Sequence, residues 1–214
     1  ISDPIIFKYN SMDDLSDFTD KVDIIAKLKN TVIDPYELVH FTYGLPALPN
    51  KITLEGIATG KVTRFVFRNM NVAMGKTKMT GRLRMDGLPD INETFIDLKV
   101  TEGEADQNTI RFFVPKNVFT ALQPLGHIKM KGQFTGFSND FVAKGNLLTQ
   151  LGAIQSDVNL KIHEKDDAQS TYSGNLTLNN FQLGKFFNDT INYQNITFNG
   201  HVNGKGLTRE TADF

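Results

Sequence analysis

The chain has 214 residues, 40% of them hydrophobic, and a formal net charge of −1. That balance offers no electrostatic grip on nucleic acid or an anionic membrane surface. There is no cysteine, which excludes disulfides and thiolate metal sites, and no tryptophan, while phenylalanine is frequent at 17.

In chain order, the first signals are helical and short. Ser11-Met12-Asp13-Asp14 has the form of a capping box, with Leu15 and Phe18 behind it. Asp34-Pro35-Tyr36-Glu37 carries a cap, a proline suited to the first helical position, and a glutamate that reaches back; Leu38 and Phe41 then share a face. Strand-like alternation follows over Lys51–Gly60, Lys61–Met74, Lys78–Met85, Thr94–Val100 and Thr109–Val114. Turn signals lie at Gly87–Asp90, Gly103–Asp106 and Glu164–Asp167. Pro115 opens another short helix, with Phe119 and Leu122 facing inward. Further strands are expected over His127–Phe137, Phe141–Thr149, Ile154–Ile162, Tyr172–Leu178 and Asn195–Asn203. The expected fold class is therefore mainly β: an elongated, repetitive, curled antiparallel sheet with a few short helices. Such helices are unstable alone and must dock on the sheet.

One frame recurs. ITLEGIATG (Ile52–Gly60), IKMKGQFTG (Ile128–Gly136) and ITFNGHVNG (Ile196–Gly204) share Ile-x-apolar-x-Gly-x-x-x-Gly, at intervals of about 70 residues. Each follows a short helical element: Pro35–Phe41, Pro115–Leu122 and Phe181–Phe187. The chain reads as one β-repeat segment over residues 1–214, with approximate units 28–105, 106–170 and 171–214. Glycines at fixed places mark bends, bulges or close backbone approach. The first residue is Ile1 and the last stretch is TRETADF, which suggests a piece of a longer protein.

Catalytic and metal signals are weak. His40, His127, His163 and His201 stand at no ligand spacing. Asp90, Glu93 and Asp97 are concentrated acids, but Asp90 belongs to a turn and Asp97 to an outward strand position. Asn92, Asn175, Asn188 and Asn195 each begin an Asn-x-Thr triplet, an ordinary composition for half-exposed β structure. A basic group, Lys61, Arg64, Arg68, Lys76, Lys78, Arg82 and Arg84, reads as a solvated sheet face. No enzyme activity and no cofactor are expected.

The apolar side of the alternation remains. Ile52, Leu54, Leu83, Met85, Ile128, Met130, Phe134, Ile154, Val158, Leu160, Ile162, Ile196, Phe198 and Val202 occupy inward positions. Two packed sheets would make them core; a curled sheet that does not close would make them an apolar gutter. Alternation alone leaves both open.

The segments GLPD (Gly87–Asp90), TFIDL (Thr94–Leu98) and LGHIKMKGQFTGFSNDFVAKGNLLTQLGAIQSDVNL (Leu125–Leu160) resemble the TamB/AsmA-like proteins of Bacteroidota type. DLSDFTDKVDIIAKLKNTVIDPYELVHF (Asp14–Phe41) and NNFQLGKFF (Asn179–Phe187) fit the same pattern. The resemblance covers most of the chain through structural motifs. It implies an internal, periplasmic segment of an inner-membrane-anchored protein, with a sheet folded lengthwise into an apolar-lined groove. It further implies phospholipid acyl chains as the cargo, moved between inner and outer membranes, and outer-membrane protein assembly with an Omp85-type barrel as partner. The rival class is a β-rich module that recognises a glycan or a protein through its loops, with Tyr43, Phe137 and Tyr193 as candidate tip aromatics. A β-helix enzyme acting on polysaccharide would need clustered acids or bases, which the strands do not offer.

Overall fold

The computed structural model describes residues 4–38, 48–114, 116–163, 165–207 and 211. Eleven strands form one sheet in sequence order, every neighbouring pair antiparallel. They are β1 (Ile6–Lys8), β2 (Asp23–Ile33), β3 (Ile52–Gly60), β4 (Arg64–Met74), β5 (Thr77–Asp86), β6 (Phe95–Ala105), β7 (Ile128–Gly136), β8 (Asp140–Thr149), β9 (Gly152–Lys161), β10 (Thr171–Gln182) and β11 (Asn195–Lys205). The sheet is curled and does not close on itself. The chain is thus mainly β, as its alternation predicts.

Short helices sit in the connections: α1 (Phe18–Lys21), α2 (Pro35–Leu38), α3 (Gln107–Ile110), α4 (Lys116–Leu122) and α5 (Leu183–Phe186). The capping chemistry follows the sequence. Ser11 and Asp14 form a capping box over the 3-10 turn Met12–Asp17. The backbone N–H groups of Asn10 and Ser11 donate to Asp14 Oδ2 at 2.8 and 3.1 Å and hold that carboxyl below its usual range. Asp34 Oδ1 accepts from Tyr36 N at 3.1 Å at the start of α2. Phe41, His40, Tyr43, Pro115 and Glu164 lie outside the described residues, and so does the side chain of Leu38.

Three expectations are corrected. Thr109–Val114 is not a strand: Asp106 caps Thr109 N at 2.9 Å, starts α3, and a turn follows. Gly103–Asp106 is not a turn through its first three residues, because β6 runs on to Ala105 and pairs Gly103 with Met130 and Ala105 with Ile128. Lys61–Thr63 is the hairpin turn before β4, closed by Lys61 N to Arg64 O at 2.9 Å. Strands β1 and β2 were not anticipated.

β2, β4, β6 and β10 each carry a bulge, where the register slips between Leu28 and Thr31, Phe67 and Met70, Val100 and Gly103, and Leu178 and Phe181. Asn30, Asn69 and Asn180 sit in three of them with φ of 46°, 49° and 46°. Asparagine tolerates that left-handed region better than other non-glycine residues. Each bulge inserts one residue, bends the strand and adds twist.

Apart from α1, in the β1–β2 connection at the other end of the sheet, the helices recur every four strands: α2 before β3, α3 and α4 before β7, α5 before β11. All three fall at the same end of the strands. There Leu125, Ile128, Leu151 and Phe181 form a buried cluster, with Ile110, Leu122, Leu183 and Phe186 of the helical segments packed on it. The opposite ends of the strands are closed by connecting residues, where Val22, Thr94 and Ser170 are fully buried.

Candidate functional site: one continuous apolar face

Directly paired residues in an antiparallel sheet share a face. Following the registers across the sheet therefore builds that face row by row. Nearest the end closed by connecting residues, Phe7, Ile24, Gly60, Phe65, Met85, Ile96, Gly136, Phe141, Leu160, Tyr172 and Gly204 make the first row. The second runs Ala26, Ala58, Phe67, Leu83, Leu98, Phe134, Ala143, Val158, Gly174, Val202. The middle row is half glycine: Leu28, Gly56, Met70, Gly81, Val100, Gly132, Gly145, Ser156, Leu176 and Gly200. A fourth row holds Leu54, Val72, Met79, Met130, Leu147, Ile154, Leu178 and Phe198. Ile52 with Met74, Ile128 with Ala105, and Ile196 with Phe181 belong to the fifth, at the end of the strands that carries α2–α5.

Every predicted lining residue except Ile162 falls on this one face. Ile162 alone lies outside the rows, one residue past β9, where its N–H donates to Asn139 O at 2.7 Å and its side chain is buried. The residues missed are mostly those of β2, β4, β6 and β10.

No charged side chain interrupts the rows. At roughly 4.8 Å per strand and 6.7 Å per inward residue, the face spans about 48 Å across the strands and 27 Å along them. Its burial is graded. Ile128 and Phe181, under the helical segments, are buried, as are Met74 and Ala105 in the same row and Phe67, Met70 and Val100 nearer the centre. Leu83, Met85, Leu98, Phe134, Val158, Leu160, Phe198 and Val202 are half-buried. Two face-to-face sheets would bury such side chains fully. The helical segments thus wall this side of the face over β7–β11, while much of the rest stays half-accessible.

The other face carries the charged side chains of the sheet, several of them paired, together with exposed Ile6, Val32, Val142 and Leu148. Lys144 meets Asp157 at 2.7 Å, Lys129 meets Glu104 at 3.3 Å, and Lys161 meets Asp140 at 3.5 Å. Hydrogen bonding and charge from Arg64, 3.0 Å away, keep the Asp86 carboxyl below its usual range, with Arg84 assisting. Two depressions of about 510 and 440 Å³ lie mainly on this face over β6–β11; the larger joins Lys, Asn, Gln, Thr and acidic side chains to apolar Met130, Leu147, Leu148 and Ile154, and the smaller is lined by polar residues. Of the predicted acids, Asp90 Oδ1 accepts from Asn92 N at 2.9 Å within its turn, and Asp97 accepts from Gln133 Nε2 at 3.0 Å on the polar face. Among the described residues, no three His, Asp or Glu side chains gather as a metal site, and no helix is long and apolar enough to cross a membrane.

Comparison with protein-family models, with curated proteins and with solved structures gives no match.

Proposed function

We propose that this chain is a non-enzymatic segment of a TamB/AsmA-like protein of the periplasm, and that its apolar face holds phospholipid acyl chains in transit between inner and outer membranes. In the full-length protein the same face would serve beside an Omp85-type barrel partner. The observation that carries the reading is the uninterrupted apolar face of an open, curled sheet, half-accessible and walled on one side. A monomer normally avoids exposing so large an apolar surface unless it binds something.

The mechanism is physical. Each acyl CH₂ removed from water contributes about 0.8 kcal/mol. Rows without charges keep that contribution nearly constant from strand to strand, so a chain slides over small barriers while its head group stays in water. The roughly 48 Å arc exceeds the ~15 Å depth of one leaflet's hydrocarbon, enough to guide a chain well beyond the membrane surface.

Leu83→Asp and Val158→Asp place a carboxylate in the second row, where desolvation opposes an adjacent acyl chain. Bound fluorescent phospholipid, measured by co-elution at unchanged far-UV circular dichroism, is expected to fall at least fivefold in both. Arg82→Asp, on the polar face, is expected to leave it unchanged. Equal lipid in all three would overturn the proposal.

The glycan or protein module draws support from the depressions over β6–β11 and their Lys, Asn, Gln and Thr side chains. Two of its candidate tip aromatics are engaged on one side, Phe137 edge-on against Phe95 at 5.8 Å and Tyr193 tilted against Phe187 at 5.5 Å, and both stay exposed on the other. Glycan binding without lipid retention would favour that reading.

A further inference from the structure

The face opposite the apolar rows carries one electrostatic conflict, over β4–β6. Directly opposed residues in antiparallel strands attract when their charges differ and repel when they match. Arg64 opposite Asp86, Arg84 opposite Asp97 and Asp140 opposite Lys161 are attractive pairs. Every other directly opposed charged pair in the described registers is attractive too, except Arg82 opposite Lys99. The bulge of β4 adds a third cation. There the register slips from Phe67–Leu83 to Met70–Gly81, which sets Arg68 on the other side of Arg82. All three side chains are exposed.

Among the described residues, no carboxylate forms an ion pair with any of the three. Asp97, diagonal to Arg82, lies opposite Arg84 and accepts from Gln133 Nε2 at 3.0 Å. Glu102, beyond the bulge of β6, lies opposite Thr80. Thr59 Oγ1 accepts one N–H of Arg68 at 3.0 Å and steadies that side chain, leaving the guanidinium further donors. A like-charged pair lowers the stability of the sheet by itself, and an anion held between the cations reverses that effect.

We propose that Arg68, Arg82 and Lys99 form a binding site for a phosphate monoester dianion. Adjacent strands lie about 4.8 Å apart, so the three backbones span roughly 10 Å, and side chains this long converge on one anion set between them. Two guanidinium forks and an ammonium exceed what a carboxylate takes, since one fork already satisfies both of its oxygens. A phosphate monoester offers three terminal oxygens and a charge of about −1.5 to −2 at pH 7. The net charge of −1 conceals this row, because acids elsewhere in the chain balance it. The site lies across the sheet from the apolar rows and is independent of acyl-chain binding.

The test titrates the whole isotope-labelled chain with glycerol 3-phosphate at fixed ionic strength and follows the backbone amide resonances. Saturable shifts centred on residues 68, 82 and 99 are expected. Acetate and the diester glycerophosphoglycerol are expected to bind at least fivefold more weakly, and Arg82→Gln and Lys99→Gln to weaken glycerol 3-phosphate by at least as much. A second readout separates binding from structure. Lys99→Glu replaces repulsion by attraction, so its urea midpoint should lie above the parent's without ligand, while glycerol 3-phosphate should raise the midpoint of the parent alone. Arg82→Asp should lose phosphate yet keep bound phospholipid, so this proposal and the acyl-chain reading fail separately. Inorganic phosphate binding more tightly than glycerol 3-phosphate would support free phosphate as the ligand, and the reverse order an esterified one. No saturable shift, equal affinity for acetate or the diester, or full affinity in Arg82→Gln would overturn the proposal.

Discussion

Gly56→Val is expected to destabilise the chain by about 3 kcal/mol or more, out of the ~5–15 kcal/mol typical of a folded domain. Gly56 lies in the middle row of the apolar face at φ +139°, opposite the bulge of β4. A Cβ there would stand 2.7 Å from Arg68 O and 2.8 Å from Asn69 O. Those are backbone atoms of a hydrogen-bonded neighbour, so relief requires moving a strand. Backbone strain and overpacking each cost about 1–3 kcal/mol and both apply. Gly200→Ala is the matched control. It lies in the same row, but its nearest neighbour is the ring of Phe198 at 3.0 Å, which can turn aside. Urea unfolding should show a loss below about 1 kcal/mol for Gly200→Ala, or a slight gain, because alanine loses less chain entropy than glycine.

The second large effect is expected at Phe181→Ala, about 3–5 kcal/mol. Phe181 is 3% exposed, packs with Leu125, Ile128 and Leu151, and meets the Phe186 ring edge-on at 5.6 Å. It follows the bulge at Asn180, whose extra residue returns the side chain to the apolar face. Truncation removes the contact that joins β10 to the helical segments over the fifth row. Denaturant unfolding should register the loss, and hydrogen exchange should rise first over 107–125 and 183–187. Phe137→Ala, at a site 39% exposed, should cost about 1 kcal/mol or less.

The parts of this fold that were legible in the sequence are those where alternation runs unbroken. In β9, Ile154, Ser156, Val158 and Leu160 keep one parity from end to end, and the face is read directly. β7 and β11 behave the same way, and they carry the repeated frame. The bulged strands hide their face. In β4 the inner residues are Phe65 and Phe67 and then Met70, Val72 and Met74, so parity switches at Asn69. β2 changes from Ile24, Ala26 and Leu28 to Thr31 and Ile33, and β6 from Val100 to Gly103 and Ala105. A period-2 reading counts the second half of such a strand on the wrong side, or ends it early, as happened at Gly103. A usable signal was present: an asparagine at the switch in β2, β4 and β10, a residue that accepts the left-handed conformation of the inserted position. The glycines were legible as a repeat, but their shared row depends on register between strands, which no single strand encodes. Whether the sheet closed was likewise beyond alternation, since a sandwich and an open sheet share one pattern.

The proposed function requires that lipid occupy the apolar face. Native mass spectrometry of the purified chain, followed by organic extraction and identification of what is released, tests this most directly. The predicted result is phospholipid adducts that are lost on delipidation and regained from phospholipid vesicles. A clean protein mass before and after incubation with vesicles would contradict it.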